Sequence, residues 1–122
     1  MRIFAYLGIK NIVLTAAAGS LNPEYELSDI VLIKDHINMM GVSSLTGNPF
    51  KPMFVDMSEC YSVDLRNKFM KLAYDNEIKV RQGVYVAQIG PAFETRAEYK
   101  FYSLIGGDVM GMSVIPENLV SQ

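Results

Sequence analysis

The stretch from Arg81 to Ser113 constrains the fold more than any other part of this chain. "RQGVYVAQIG" is an apolar run of strand length, entered through Gly83 and left through Gly90-Pro91. Thr95 and Glu98 then stand at the spacing of a capping box, in which the threonine oxygen accepts from the third helical N–H and the glutamate reaches back to the cap N–H. The helix opened there is expected to run to Leu104 or Ile105, where Gly106 and Gly107 supply a left-handed stop. "DVMGMS" follows as a second strand. Neither strand shows the strict alternation of a sheet with one wet face, so both are expected to be buried on both faces. Strand, helix and strand in this order imply an α/β layer structure.

The remainder repeats that alternation. Residues 2 to 8 read as the last turns of a helix closing at Gly8, followed by a strand "NIVLT" from Asn11 to Thr15 and a small-residue loop "AAAGSLNPEY". Asp29 to Ile37, "DIVLIKDHI", reads as another strand buried on both faces. From Asn38 to Met57 the chain carries Gly41, Gly47, Pro49 and Pro52 with little periodicity, which predicts a long loop, a class commonly functional or mobile in compact domains. Leu65, Phe69, Leu72 and Ala73 fall on one helical face while Asp64, Arg66, Lys68 and Lys71 occupy the rest, so a helix is expected from Asp64 to Asn76. Pro116 suits the first turn of a last helix, which Gln122 leaves unfinished.

With 122 residues and 50% hydrophobic content the chain fits one domain with a packed core. Eleven basic and thirteen acidic residues are interspersed to a net charge of -2, which leaves no footprint for phosphodiester backbones. The single Cys60 cannot form an internal disulfide and the single His36 cannot form a histidine cluster, which excludes disulfide scaffolds and most zinc sites and points to a reducing cytoplasm. Arg2 and the apolar residues after it imitate a secretory signal, but Lys10 and Asn11 split the segment. No run reaches the ~18 apolar residues of a membrane span.

In open α/β sheets ligands collect beyond the carboxyl ends of the strands, here Thr15 to Ser20, Gly90 to Glu94 and Gly111 to Val114. At the first, Ala16 to Ala18 and Gly19 either admit an anion to the backbone N–H groups or simply pack tightly between sheet and helix. At the second, Glu94 precedes a cap that Thr95 and Glu98 already satisfy. It either complements the helix dipole, worth ~0.3–1 kcal/mol, or accepts hydrogen bonds from a ligand. At the third, Met112 is core filler or a support for a flat or sugar-like group, and Ser113 is a strand-end residue or a donor to an anion. His36 at a strand end reads as structural rather than as a general base, and Cys60, without a neighbouring base, likewise.

Taken in order, "TAAAGSLNPEY", "DIVLIKDHIN", "MFVDMSECY", "GVYVAQIGPAFETRAE" and "GGDVMGMSVIPE" resemble the purine nucleoside phosphorylases of the trimeric, low-molecular-mass type over nearly the whole chain. The resemblance implies a three-layer fold with a mostly parallel or mixed sheet flanked by helices, of which residues 1–122 form the central part of a single domain, incomplete at both ends. It implies phosphorolysis of 6-oxopurine nucleosides such as inosine and guanosine, giving free base and ribose 1-phosphate without metal or organic cofactor. By the same resemblance the backbone of Ala17 and the hydroxyl of Ser113 bind phosphate, Met112 lies against ribose, Glu94 binds the purine and Phe93 lines the base pocket. Phe54 would reach a neighbouring subunit's ribose site, which makes a homotrimer the expected assembly.

An ionised Glu94 only accepts hydrogen bonds, and a 6-oxopurine presents N1–H where adenine presents a lone pair. A related family, the methylthioadenosine phosphorylases, usually has serine at the position of Glu94, and phosphorolysis of adenine nucleosides is the weaker alternative. Ala16 departs from the asparagine often found in the family, which removes a polar side chain beside the anion site. The family's glycine-rich phosphate loop, its basic phosphate ligands, the asparagine at the leaving base and the histidine near the ribose are not in these 122 residues. The rival reading is therefore a truncated, non-catalytic purine-binding or subunit-interaction fragment.

Overall fold

Tyr85 and Val86 are adjacent and almost fully buried, at 2% and 0% exposure, yet they enter different cores. Successive side chains of a strand point to opposite faces, so two buried neighbours require cover on both. The computed structural model describes residues 1–47 and 54–122; Pro49 and Pro52 of the expected loop lie outside the described residues. In chain order the elements are α1 (Arg2–Tyr6), β1 (Gly19–Ser20), β2 (Ile30–Asn38), α2 (Val63–Asp75), β3 (Val80–Ala87), α3 (Arg96–Leu104), β4 (Val109–Gly111) and α4 (Ile115–Ser121). Tyr85, Ala87 and Val109 pack with Ile115 and Leu119 of α4, whereas Val86 and Met110 pack with Leu21 and with Tyr102 of α3. The two helices thus cover opposite faces of one sheet, giving the layered α/β fold.

The strand order is β1-β4-β3-β2. β2, β3 and β4 run parallel, and β1 pairs antiparallel with β4, so the sheet is mixed. The carboxylate of Asp108 fixes the amino end of the β3/β4 ladder. Its Oδ2 accepts from the N–H of Val84 at 2.9 Å and its Oδ1 from Asn22 Nδ2 at 2.9 Å, while its carbonyl accepts from the N–H groups of Leu21 and Asn22.

The helix α3 forms as its sequence predicts. Thr95 Oγ1 accepts from Glu98 N–H at 3.2 Å, Glu98 Oε2 accepts from Thr95 N–H at 2.7 Å, and Gly106 stops the helix at φ +99°. Gly107 serves a different need from the left-handed stop expected of it. A Cβ there would collide with Val86 and stand 2.9 Å from Leu21 Cδ1 and 3.0 Å from the Tyr102 carbonyl, so glycine lets β4 approach the core. Gly8 closes α1 at φ +76°, and Pro116 stands in the first turn of α4.

Other expectations change. Asn11 to Thr15 is not a strand, because an apolar run becomes one only with a ladder partner and none of the described residues pairs with it. Gly19 and Ser20, placed in a loop by their small side chains, pair with Met110 and Val109 instead. β2 is not buried on both faces; it is an edge strand of the described sheet and its side chains are partly or largely exposed. The strand read over Asp108 to Ser113 ends at Gly111. Helix α2 is capped by Ser62, whose Oγ accepts from Leu65 N–H at 3.3 Å, and its apolar face forms, but only Ala73 is buried. No described helix or strand extensively covers that face, and Leu72 stays 62% exposed.

Candidate functional site

The three segments expected to carry chemistry meet at one edge of the sheet, and the first arrives by an unexpected route. Thr15 to Ser20 is not the carboxyl end of a strand. It leads into β1, which runs against β4, so the amino end of β1 lies where β4 ends. Gly19 pairs with Met110 and Ser20 with Val109, so the residues just before Gly19 run alongside those just after Met110. A Cβ on Gly111 would stand 3.5 Å from the Ala17 carbonyl, which places the two backbones side by side. Ala16, Ala17 and Ala18 are exposed, so they are not filler between sheet and helix.

Glycines shape this edge from both strands. Gly90 lies under the Met112 side chain: a Cβ there would collide with the sulfur and stand 3.2 Å from Cε. Met112, at 36% exposure, is therefore laid across the exit of β3 rather than sunk in the core. Beneath it, the Tyr85 hydroxyl rises into the space that a side chain at Gly111 would fill and accepts the N–H of Ser113 at 3.3 Å.

The chain then turns sharply. Val114 has φ 70° and ψ -53°, and the N–H of Ile115 donates to the carbonyl of Ser113 at 2.8 Å. These are the dihedrals and the bond of a γ-turn of the rare, strained hand, on a β-branched residue. Burial of the Val114 and Ile115 side chains, at 8% and 0% exposure, holds the turn. Strained backbone of this kind collects at functional sites, where surrounding structure over-determines it. Here it turns the chain from Ser113 into α4 and leaves Ser113 at the rim.

Glu94 is half-buried and is not wholly free to meet a ligand. Its Oε1 accepts from Gln88 Nε2 at 2.7 Å, and Gln88 Oε1 in turn accepts from the Tyr102 hydroxyl at 2.8 Å. Burial first, then the carboxylates of Glu98 and Glu94, push the Tyr102 pKa up, so this phenol keeps its proton and donates. Thr95 and Glu98 complete their own reciprocal cap, so Glu94 is not spent on capping α3.

The aromatic candidates stand outward. Phe93 is 87% exposed and Phe54 86% exposed among the described residues. His36 shares a hydrogen bond of 3.0 Å between its Nδ1 and the Tyr61 hydroxyl, the two rings meeting edge-on at 5.7 Å. Burial lowers its pKa, with Asp35 opposing, which suits a structural imidazole held neutral. Cys60 is buried, its thiol pKa is raised by that burial, and its carbonyl accepts from Asn118 Nδ2 at 2.7 Å. Neither joins the rim.

Tyr85, Gln88, Tyr102 and Val114 escaped the sequence reading. A glycine inside a strand, Gly111, signals close approach of something bulky, and a lone amide ending the apolar run "VYVA" is the other available clue. Which side chain fills each gap depends on registers that no local pattern encodes.

A sequence model of the family described as Phosphorylase superfamily matches residues 1–122. Purine nucleoside phosphorylase 1 of Geobacillus stearothermophilus is 42% identical over 125 residues, covering 100% of this chain and 46% of that protein. The purine nucleoside phosphorylase of Mus musculus is 39% identical over 130 residues, with 100% and 45% covered. A crystal structure of Schistosoma mansoni purine nucleoside phosphorylase with a monocyclic inhibitor superposes with a TM-score of 0.94 at 38% identity, covering 98% of this chain and 48% of that one. The chain thus spans a little under half the length of these relatives.

Proposed function

The chain belongs to the phosphorylase superfamily, and from that premise we propose that it forms part of an enzyme that cleaves purine nucleosides with inorganic phosphate. The observation that carries the reading is the convergence of Ala17, Glu94, Met112 and Ser113 at one edge of the sheet, from three separate segments. Exposed backbone at Ala17 and the hydroxyl of Ser113 would receive phosphate, and the thioether of Met112 would support the ribose. Glu94 would accept the N1–H of a 6-oxopurine through the carboxylate oxygen that Gln88 leaves open. Phe93 would close over the base, and Phe54 would serve the ribose site of a neighbouring subunit in a homotrimer.

The chemistry asks little of the protein beyond position and charge. As the glycosidic bond breaks, ribose becomes oxocarbenium-like and the leaving base gathers negative charge, so catalysis rests on holding phosphate below C1′ and stabilising the base. No metal or organic cofactor has a part in this scheme, and a cytoplasmic setting is proposed with it. Among the described residues no helix is long and apolar enough to cross a membrane.

The test is phosphate-dependent release of hypoxanthine from inosine, with Glu94→Ala beside the wild type. Turnover should fall by about 10²-fold or more if the carboxylate stabilises the departing base. Inosine should be preferred over methylthioadenosine by up to ~10⁴, the discrimination available where a site is built around a hydrogen its competitor lacks. Unchanged kinetics in the variant would remove Glu94 from the site. Base binding without any turnover would support a non-catalytic purine-binding role instead.

A further inference from the structure

We propose that Gln88 and Tyr102 form a relay that orients Glu94 for a 6-oxopurine, making Gln88 a specificity-determining positioning residue. The inference rests on the purine-binding role given to Glu94 above.

The relay has one sense only. The Tyr102 hydroxyl, on a side chain 7% exposed, donates to Gln88 Oε1 at 2.8 Å. That bond engages the amide oxygen on the side of α3, so the amide turns its NH₂ group toward Glu94, at 2.7 Å from Oε1. The reverse orientation would set the amide oxygen against a carboxylate oxygen, acceptor against acceptor, and point the NH₂ group at a phenol that already has its proton to give. Backbone connects the same parts rigidly: Gln88 N–H donates to the Gly111 carbonyl at 3.1 Å, and Tyr102 sits inside the α3 helix opened by the Thr95 cap.

The consequence is selective. Gln88 holds one oxygen of Glu94 by an N–H donor and so fixes the direction of the carboxylate. The other oxygen remains an acceptor of fixed direction, suited to N1–H of a 6-oxopurine and mismatched to the N1 lone pair of adenine. Without the relay, Glu94 would turn among several rotamers at the rim and the base would lose its fixed partner. Tyr102, Glu98 and Glu94 itself are the titratable groups that the electrostatics of this cluster bring into play.

The experiment measures hypoxanthine and adenine binding by calorimetry to the complete protein and to Gln88→Leu, Gln88→Glu, Tyr102→Phe and Glu94→Ala, with circular dichroism to verify folding. Gln88→Leu should weaken hypoxanthine about tenfold, the scale of one lost hydrogen bond to a charged group, and leave adenine unchanged. Tyr102→Phe should weaken it by a smaller factor, since the amide stays but its orientation is released. Gln88→Glu supplies the decisive readout. Two carboxyls in contact share one proton, and the protonated pair imitates the amide, so hypoxanthine affinity should approach wild type at acid pH and fall as that proton leaves. In the wild type the amide of Gln88 cannot share a proton with Glu94, so the step that comes from a shared proton belongs to the variant alone.

A flat pH profile for Gln88→Glu, with Gln88→Leu binding hypoxanthine as the wild type does and Glu94→Ala binding it poorly, would overturn the relay and leave the purine site standing. Normal binding by Glu94→Ala would overturn both.

Discussion

Replacing Gly111 by alanine tests the packing that seats Ser113. The added Cβ would run into the Tyr85 hydroxyl, well inside van der Waals contact, and would stand 3.2 Å from Cζ. The phenol has nowhere to retreat, being 2% exposed and packed among Ala87, Val109 and Ile115. Forcing a methyl group into such a site costs about 1–3 kcal/mol. Pushing the hydroxyl aside also breaks the 3.3 Å hydrogen bond from Ser113 N–H, a further loss of about 0.5–1.5 kcal/mol. With a urea dependence of about 1–3 kcal/mol per molar, the unfolding midpoint should drop by roughly 1 M or more. Tyr85→Phe alone loses only the hydrogen bond. Combined with Gly111→Ala it deletes the atom that the new methyl strikes, so a double-mutant cycle should show the second change rescuing about 1 kcal/mol or more of the first. Equal midpoints for wild type and Gly111→Ala, or strictly additive losses, would refute the account.

Two more predictions follow from backbone and charge. At Val114, alanine and glycine both lose the buried isopropyl group, but only alanine keeps a Cβ in the left-handed region, at about 1–2 kcal/mol. Val114→Gly should therefore match or exceed Val114→Ala in urea melts, reversing the usual order in which glycine is worse; a clear advantage for alanine would argue against strain at the turn. His36 has a pKa below its ordinary 6.5 because it is buried, so the unfolded chain takes up a proton that the folded chain refuses. Stability should thus fall as pH drops below about 6.5 and level off once the lowered folded value is passed. In His36→Gln the slope of stability between pH 7 and pH 5 should be shallower, and parallel curves for the two proteins would exclude His36 as a source of acid sensitivity.

Much of the fold was legible because its rules are short-ranged. A capping box needs only Thr95 and Glu98, a left-handed stop only Gly106, and an amphipathic helix only residues three and four apart, so α2, α3 and β3 lie within a few residues of where the sequence puts them. Apolar composition likewise announced buried strands at Tyr85 to Ala87 and at Val109 and Met110. The same run-length logic failed at Asn11 to Thr15 and overstated the burial of β2, because pairing and cover are supplied by distant residues.

Glu94, Met112, Ser113 and Ala17 could be singled out from the sequence as residues of suitable chemistry beside strand ends. Their meeting at one rim could not. It follows from β1 running antiparallel to β4, which turns the loop before β1 back toward Gly111. Nor could the sequence reveal that Tyr85 supports Ser113, that Tyr102 acts through Gln88 on Glu94, or that Val114 is held in a strained turn. The physical division is one of range. Propensity, capping and periodicity are energies between near neighbours and are written in order along the chain, whereas register, close packing and hydrogen-bond relays join residues that only the closed sheet brings within reach.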